Sequence, residues 1–366
     1  MWQKNMARKL LEPSNSTFLC VTQWPHLVLW AHGYFNAGAR HRHTNLLGCV
    51  IFVACYAFAV RHILTSPRLA TFVGAAGLYL VPSLGAFDGL SKAGYALASL
   101  CHFIRLVQIT KDLDTFRETS WLYRYKFLSW VGSDLRTSET VSDAERNSQV
   151  ANSLREKFVS LLLCVSCHVC LEKKLPFSVW GNLAGRWPCA VTRWLVSGIF
   201  FYNSLHMLDL VYRIPLLGLE GVRVVATHDN PIMAKSLSDF WGKKWDKESA
   251  RIQSHPKQYK PESNTALPNP PQAVQMMLKD VVFTPVFSQY GLQAAVWLTF
   301  AASGVLHVYA LLWAGCSWVL CGYMLVFFVL QPILLELERR FKLPWFPMLL
   351  LAAPLFLEPF LTICGW

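Results

Sequence analysis

The feature that most restricts this chain is a series of apolar windows, each close to the length of a bilayer crossing. A spanning helix needs about 20 predominantly apolar residues. Windows near 44–64, 69–87, 90–108, 157–171, 190–212, 291–312, 314–333 and 346–364 reach or approach that length. A shorter aromatic stretch, 18–35, reads as a ninth crossing or as a segment lying at the interface. The 157–171 window is short, so it is expected to tilt, to re-enter or to extend past its ends. A transmembrane barrel would show ten-residue segments of alternating hydrophobicity, and none is seen. The expected fold class is therefore all-α, a polytopic transmembrane helical bundle of about eight or nine spans.

Charge agrees with this reading. Only 15% of the 366 residues are charged and 54% are hydrophobic. Soluble domains carry about 25% charged residues, so this chain has too few to cover a water-facing surface. The formal net charge of +12 is spread over loops that flank the apolar windows. It reads as membrane topology and contact with anionic lipid. Nucleic acid is not expected as a partner, because no recognition helix, stacking sheet or concentrated basic face is present.

Most of the 11 cysteines lie inside apolar windows, where free cysteine behaves as a small hydrophobe. Cys164, Cys167 and Cys170 recur every third residue beside His168. Packing is the expected role, since a structural zinc site normally pairs two such clusters; no metal is assigned. The N-terminal MWQKNMARKLLEPSNS is basic and polar, without an apolar stretch ending in a small-residue site, so no cleavable signal peptide is expected. Residues 1–43 read as an N-terminal segment and 44–366 as the membrane-embedded domain, with 236–340 carrying its motifs.

Two long polar connections interrupt the windows. The first, 111–156, is nearly charge-balanced. The second runs over about 219–283 and ends in the irregular PESNTALPNPPQ. Between Lys235 and Lys260 it carries Lys243, Lys244, Lys247, Arg251 and Lys257 against Asp239, Asp246 and Glu248. The positive-inside rule places both connections, with Arg339, Arg340 and Lys342, on the cytosolic side. The 172–189 linker and the Arg40–His43 cluster fall on the other side. No internal repeat is seen, which weighs against a transporter built from duplicated halves.

Candidate chemistry begins with His307, in the middle of the apolar TFAASGVLHVYALLW at 299–313. Ionisable residues inside membrane segments are costly and face protein-lined cavities. The small residues Ala301, Ala302, Ser303 and Gly304 admit a close helix neighbour or a narrow channel. The bland role for His307 is a bond to a neighbouring helix's carbonyl. His102 and Arg105 lie near a span's end, where snorkelling is expected. Asn203, His206 and Asp209 share one helix face and read as packing and cavity lining.

The second informative stretch is SLSDFWGKKWDKES, 236–249. A neutral imidazole can take the proton of an alcohol as it attacks an acyl carbon. Lysines can hold a polyanionic carrier such as coenzyme A, and tryptophans sit naturally at the interface. An apolar bundle can house an acyl chain. These parts together describe acyl transfer between lipid-compatible substrates.

Ser236-Leu237-Ser238-Asp239-Phe240-Trp241-Gly242-Lys243-Lys244-Trp245 resembles the S-L-x-D-F-W-G-[RK]-[RK]-W motif of the wax-synthase-like branch of the membrane-bound O-acyltransferase superfamily. Ser303-Gly304-Val305-Leu306-His307 resembles that family's S-G-x-x-H motif. The segment from Phe327-Phe328-Val329-Leu330-Gln331-Pro332 to Glu336-Leu337-Glu338 resembles the family's next span. The likeness covers about 236–340; upstream it is one of hydrophobic layout.

The resemblance implies a multi-helix fold with an internal tunnel, His307 as general base and acyl-CoA as co-substrate, with no permanently bound cofactor. Asp246 would orient the nucleophile. Lys243 and Lys244, with Trp241 and Trp245, would form the donor side, the tryptophans mainly as interface anchors. The chain departs from the family at two positions. Asp246 stands where relatives carry Asn or His, and an ionised aspartate cannot donate a hydrogen bond. Val308 follows the histidine where Glu is common. The expected function is acylation of a fatty alcohol to a wax ester at the endoplasmic reticulum, by a multi-pass enzyme in contact with membrane lipids. Sterol or terpenoid acceptors are the alternative, and a non-catalytic lipid-binding or transport protein of the same fold is the second. Asp239 is expected to cap a short helix starting at Phe240.

Overall fold

The structure is a computed structural model. It describes residues 42–84, 89–119, 121, 124, 139–140, 142–173, 190–204, 217–218, 222–223, 233–241 and 278–363. The described residues are helical apart from short connections and one two-residue antiparallel pairing, β1 (Glu139–Thr140) with β2 (Val222–Arg223). Among the described residues, three helical stretches are long and apolar enough to cross a membrane: Val281–Trp313, Trp318–Phe341 and Trp345–Ile363. The chain divides into two compact units. One comprises Met1–Ser138 and Lys257–Gly315; the other comprises Glu139–Pro256 and Cys316–Trp366.

In the first unit, α1 (Arg42–His62), α2 (Pro67–Leu84) and α3 (Gly89–Lys111) form consecutive antiparallel neighbours, and the short α4 (Leu113–Arg117) follows. Arg61 and His62 occupy the last turn of α1, where a cation meets the negative end of the helix dipole. Pro67 opens α2, where its missing N–H costs nothing. The core is built from Phe52, Tyr56, Val60, Ile63, Val81, Tyr95, Leu106 and Ile109. The Tyr56 hydroxyl donates to the Ser99 carbonyl oxygen over 2.7 Å, tying α1 to α3.

Snorkelling is not what His102 and Arg105 do. His102 is 2% exposed and Arg105 is 0% exposed. His102 packs against both the Phe52 and Tyr56 rings, at 4.9 and 5.3 Å between centroids. Arg105 donates to Gln108 Oε1 over 3.2 Å. The helices around α3 cover the face that an isolated span would turn to the interface.

The last part of this unit reverses direction. A π-helical turn, Lys279–Phe283, runs into α8 (Thr284–Trp313; α5 to α7 belong to the second unit and are given below), whose backbone breaks at Gly291 with φ 81° and ψ −179°. Leu278 and Leu306 share one buried cluster with Cys101. In a straight helix they would stand roughly 42 Å apart at 1.5 Å per residue. The arm 278–290 therefore folds back along 292–313, with the break as the tip of a helical hairpin. Tyr290 and Leu292, on either side of it, are exposed.

In the second unit, α5 (Asp143–Lys173) packs against α6, the helix over 190–204, and α6 packs against α10 (Trp345–Ile363). Helix α7 (Leu237–Asp239) packs on α9 (Trp318–Phe341) and on α10. The polar 111–156 connection contains the first turns of α5. Ser142 caps it, accepting the Glu145 N–H at 3.4 Å, and Asp143 and Glu145 sit in the first turn, where anions meet the dipole's positive end. The apolar 157–171 window is thus the second half of a longer helix. Along α5, Ser153, Lys157 and Ser160 are buried, while Leu154, Phe158, Val159 and Leu161 are exposed beside Arg155 and Glu156.

Helices α9 and α10 are continuous through Pro332, and through Pro354 and Pro359; membrane helices tolerate such prolines where neighbours re-satisfy the backbone. Ser317 caps the N-terminus of α9, and Lys342 ends it in the left-handed region at φ 51°.

Candidate functional site

His307 lies on the 292–313 arm of the hairpin, just after buried Leu306 and about one turn on from the small residues Ser303 and Gly304. Its Nδ1 is 2.8 Å from the Ser303 carbonyl oxygen, one turn back. A carbonyl only accepts, so Nδ1 carries the hydrogen and Nε2 is the basic nitrogen of the neutral ring. The bond sets both tautomer and ring orientation. Further along this arm, the Tyr309 hydroxyl donates to the Leu78 carbonyl oxygen of α2. The Trp313 ring meets Tyr79 edge-on at 5.6 Å, with the Lys92 ammonium 6.0 Å from its centroid. These contacts hold the His307 arm against the first bundle.

The 236–241 stretch belongs to the second unit, so its geometry stands apart from that of His307. Ser236, extended at φ −154° and ψ 164°, caps α7 by accepting the Asp239 N–H at 2.8 Å. Asp239 Oδ2 in turn accepts the Lys235 N–H at 2.9 Å. Such a Ser-x-x-Asp arrangement satisfies amide donors from both ends. The cap is therefore Ser236 and not Asp239, and the helix begins three residues earlier than expected. The reason is that the serine hydroxyl already reaches the N3 amide, leaving the aspartate to close the box.

The Glu338 carboxylate, from the last turns of α9, accepts the Leu237 N–H at 2.7 Å and the Ser238 N–H at 3.3 Å. A carboxylate on the first-turn amides of a helix is favoured by charge and by hydrogen bonding together. Two residues on, Trp241 Nε1 donates to Gln331 Oε1 over 2.9 Å, and Gln331 Nε2 donates to the Phe327 carbonyl oxygen over 3.0 Å. Phe240 lies edge-on to Trp241 at 4.9 Å and against Trp345 at 5.6 Å. Trp241 itself is near Phe327 and Phe328, at 6.3 and 6.4 Å. The stretch is thus pinned at both ends to α9, by Glu338 at its start and Gln331 at its end.

Of the residues expected to bind or react with substrate, the structure describes His307 and Trp241. Lys243, Lys244, Trp245 and Asp246 lie outside the described residues, as do His206 and Asp209. Asn203 donates to the Ile199 carbonyl oxygen of its own helix over 2.8 Å, a local bond. Cys164 Sγ lies 4.0 Å from the Phe200 carbonyl oxygen and 3.8 Å from Ser204 Oγ. Among the described residues, no group of three His, Cys, Asp or Glu is arranged to hold a metal.

Sequence reasoning passed over Gln331, Glu338 and Glu358 as site residues. Gln331 had a readable signal: a polar side chain inside an apolar span is costly unless bonded, and it is 0% exposed. Glu358 had the same signal, as an acid within the last apolar window. It accepts the Trp194 indole N–H at 2.9 Å and pairs with Arg193 at 3.5 Å.

The Trp241–Gln331 bond is testable. Gln331→Leu is expected to lower stability by about 1–3 kcal/mol, the cost of leaving a partly buried donor unsatisfied. Thermal unfolding in detergent would show a lower midpoint. Adding Trp241→Phe, which removes the donor, should then lower it little further; a full additive loss would mean the two side chains act independently.

The folded helices and their composition define a helical membrane protein. No protein-family model, no curated protein and no solved structure matches the chain.

Proposed function

We propose that this chain is an acyl-CoA-dependent O-acyltransferase with eight or nine crossings and an internal tunnel. Its reaction passes an acyl group to the hydroxyl of a lipophilic alcohol, a fatty alcohol giving a wax ester. The single observation that carries the proposal is the imidazole of His307, oriented through Nδ1 inside an apolar helix so that Nε2 is its basic nitrogen. The 236–245 stretch supports it as the second half of a two-motif resemblance, and its first residues rest on a shaped platform on α9.

In the reaction, His307 Nε2 takes the acceptor's hydroxyl proton as the oxygen attacks the thioester carbonyl carbon. The C–O bond forms and the C–S bond breaks. The proton passes from the imidazolium to the departing thiolate, and coenzyme A leaves toward the cytosol. Asp246 helps to orient the acceptor. Lys243 and Lys244, with Lys247, meet the carrier's phosphates, and Trp241 and Trp245 anchor the segment at the interface. Enzyme and substrates form a ternary complex with no covalent intermediate and no metal, and the endoplasmic reticulum is the expected membrane.

Sterol and terpenoid alcohols are the alternative acceptors. Asp246 and Val308, where the resembling motifs carry other residues, favour a second reading: a lipid-binding or transport protein that does no chemistry. Expression in a host lacking neutral-lipid synthesis separates the three. The expected result is accumulation of wax ester when fatty alcohol is supplied. Sterol or terpenoid ester alone would change the acceptor, and no ester with any acyl-CoA and alcohol pair would establish the non-catalytic reading.

A further inference from the structure

The hairpin at Gly291 has a consequence for water. If 292–313 crosses the bilayer, its 22 residues cover about 33 Å at 1.5 Å per residue, already the thickness of the hydrocarbon core. Leu278 packs in the cluster that holds Leu306, so the arm 278–290 starts near the middle of that crossing and runs back to its end. A helical arm that starts at membrane depth needs its start to be buried in protein or to line a water-filled cavity. Its first turn carries Lys279, next to buried Leu278 and itself exposed. An exposed ammonium at the depth of Leu306 cannot face lipid without large cost; it needs water or an anion.

We propose that residues 278–290 form a re-entrant half-span that opens an aqueous recess at the depth of His307, with Lys279 projecting into it beside the path of the acyl donor. The recess rests on the hairpin and on the exposure of Lys279; only its occupant rests on the acyltransferase reading.

Cysteine labelling in native membranes tests both parts. Lys279→Cys and Val305→Cys are introduced separately into a chain whose own cysteines are replaced. Val305 is the control: it neighbours Leu306 in depth, and its side chain is 58% exposed on a face the hairpin does not cover. A charged, membrane-impermeant methanethiosulfonate reagent is applied from the cytosolic side. The expected result is labelling of Lys279→Cys at least about tenfold faster than Val305→Cys, since only the first meets water. Equal rates would overturn the recess. S-hexadecyl-coenzyme A, a thioether that cannot transfer its chain, is expected to slow labelling of Lys279→Cys and to leave Val305→Cys unchanged. Fast labelling that this compound does not slow would overturn the donor role and leave the recess standing. None of these readouts needs turnover, so absence of ester in the expression assay would count against the reaction and not against the recess.

Discussion

His307→Ala is expected to abolish measurable ester formation, with a loss of roughly 10²–10⁴-fold, the span that a positioned general base contributes. The acceptor hydroxyl is a poor nucleophile at neutral pH, and water is too weak a base to take its proton. A base held in the helix itself is then required at the moment of attack. His307→Gln separates this role from a structural one. Glutamine can still donate one turn back to the Ser303 carbonyl oxygen, as Nδ1 does over 2.8 Å, but it cannot accept a proton at neutral pH. If the histidine only bonds its own helix, the glutamine variant should retain activity and unfold at the wild-type temperature. If it is the base, that variant should fold normally and be as inactive as the alanine one. Microsomes, labelled acyl-CoA and a series of alcohols measure the rate, and immunoblotting normalises it to the amount of protein.

The classes of evidence differ in how far they could be read ahead of the structure. Helical class follows from apolar length, a property of local sequence. The 44–64, 69–87 and 90–108 windows fall on the helices α1, α2 and α3, while the 291–312, 314–333 and 346–364 windows fall on the three stretches long and apolar enough to cross a membrane among the described residues. The return arm was not legible. KDVVFTPVFSQY is short and mixed, and its direction is set by Leu278 meeting Cys101 and Leu306, partners remote in sequence. Burial on α5 was also hidden, because its exposed residues include apolar ones and Lys157 gives no sign of facing inward. His102 and Arg105 were misread for the same reason: a span's end snorkels only if no neighbour covers it. In the site, His307 stood out by its chemistry, whereas Glu338 looks like one more charge in the run that ends α9. What distinguishes it is a pair of backbone amides from a different stretch of chain, and residue type alone does not announce such a contact.

Gly291→Val is expected to cost about 3 kcal/mol or more, the upper end of the range for a residue forced into a sparsely populated backbone region. At φ 81° and ψ −179°, the conformation belongs almost entirely to glycine, and a β-branched side chain suffers most because its χ1 freedom is already narrow. Space is not the obstacle, since an added Cβ would meet nothing within 4 Å. The penalty is purely conformational, and the chain has one way to relieve it: straightening toward a continuous helix, which would pull Leu278 away from Cys101 and Leu306. Two measurements should therefore move together. The unfolding midpoint in detergent should fall, and Lys279→Cys should lose its fast labelling. Gly322→Ala is the matched control. It too has open space around an added Cβ, but it sits within α9, where alanine is favoured over glycine by about 1 kcal/mol. It should leave the midpoint unchanged or raise it. A Gly291→Val protein as stable as wild type, with Lys279→Cys still labelled quickly, would show that the reversal does not depend on this glycine.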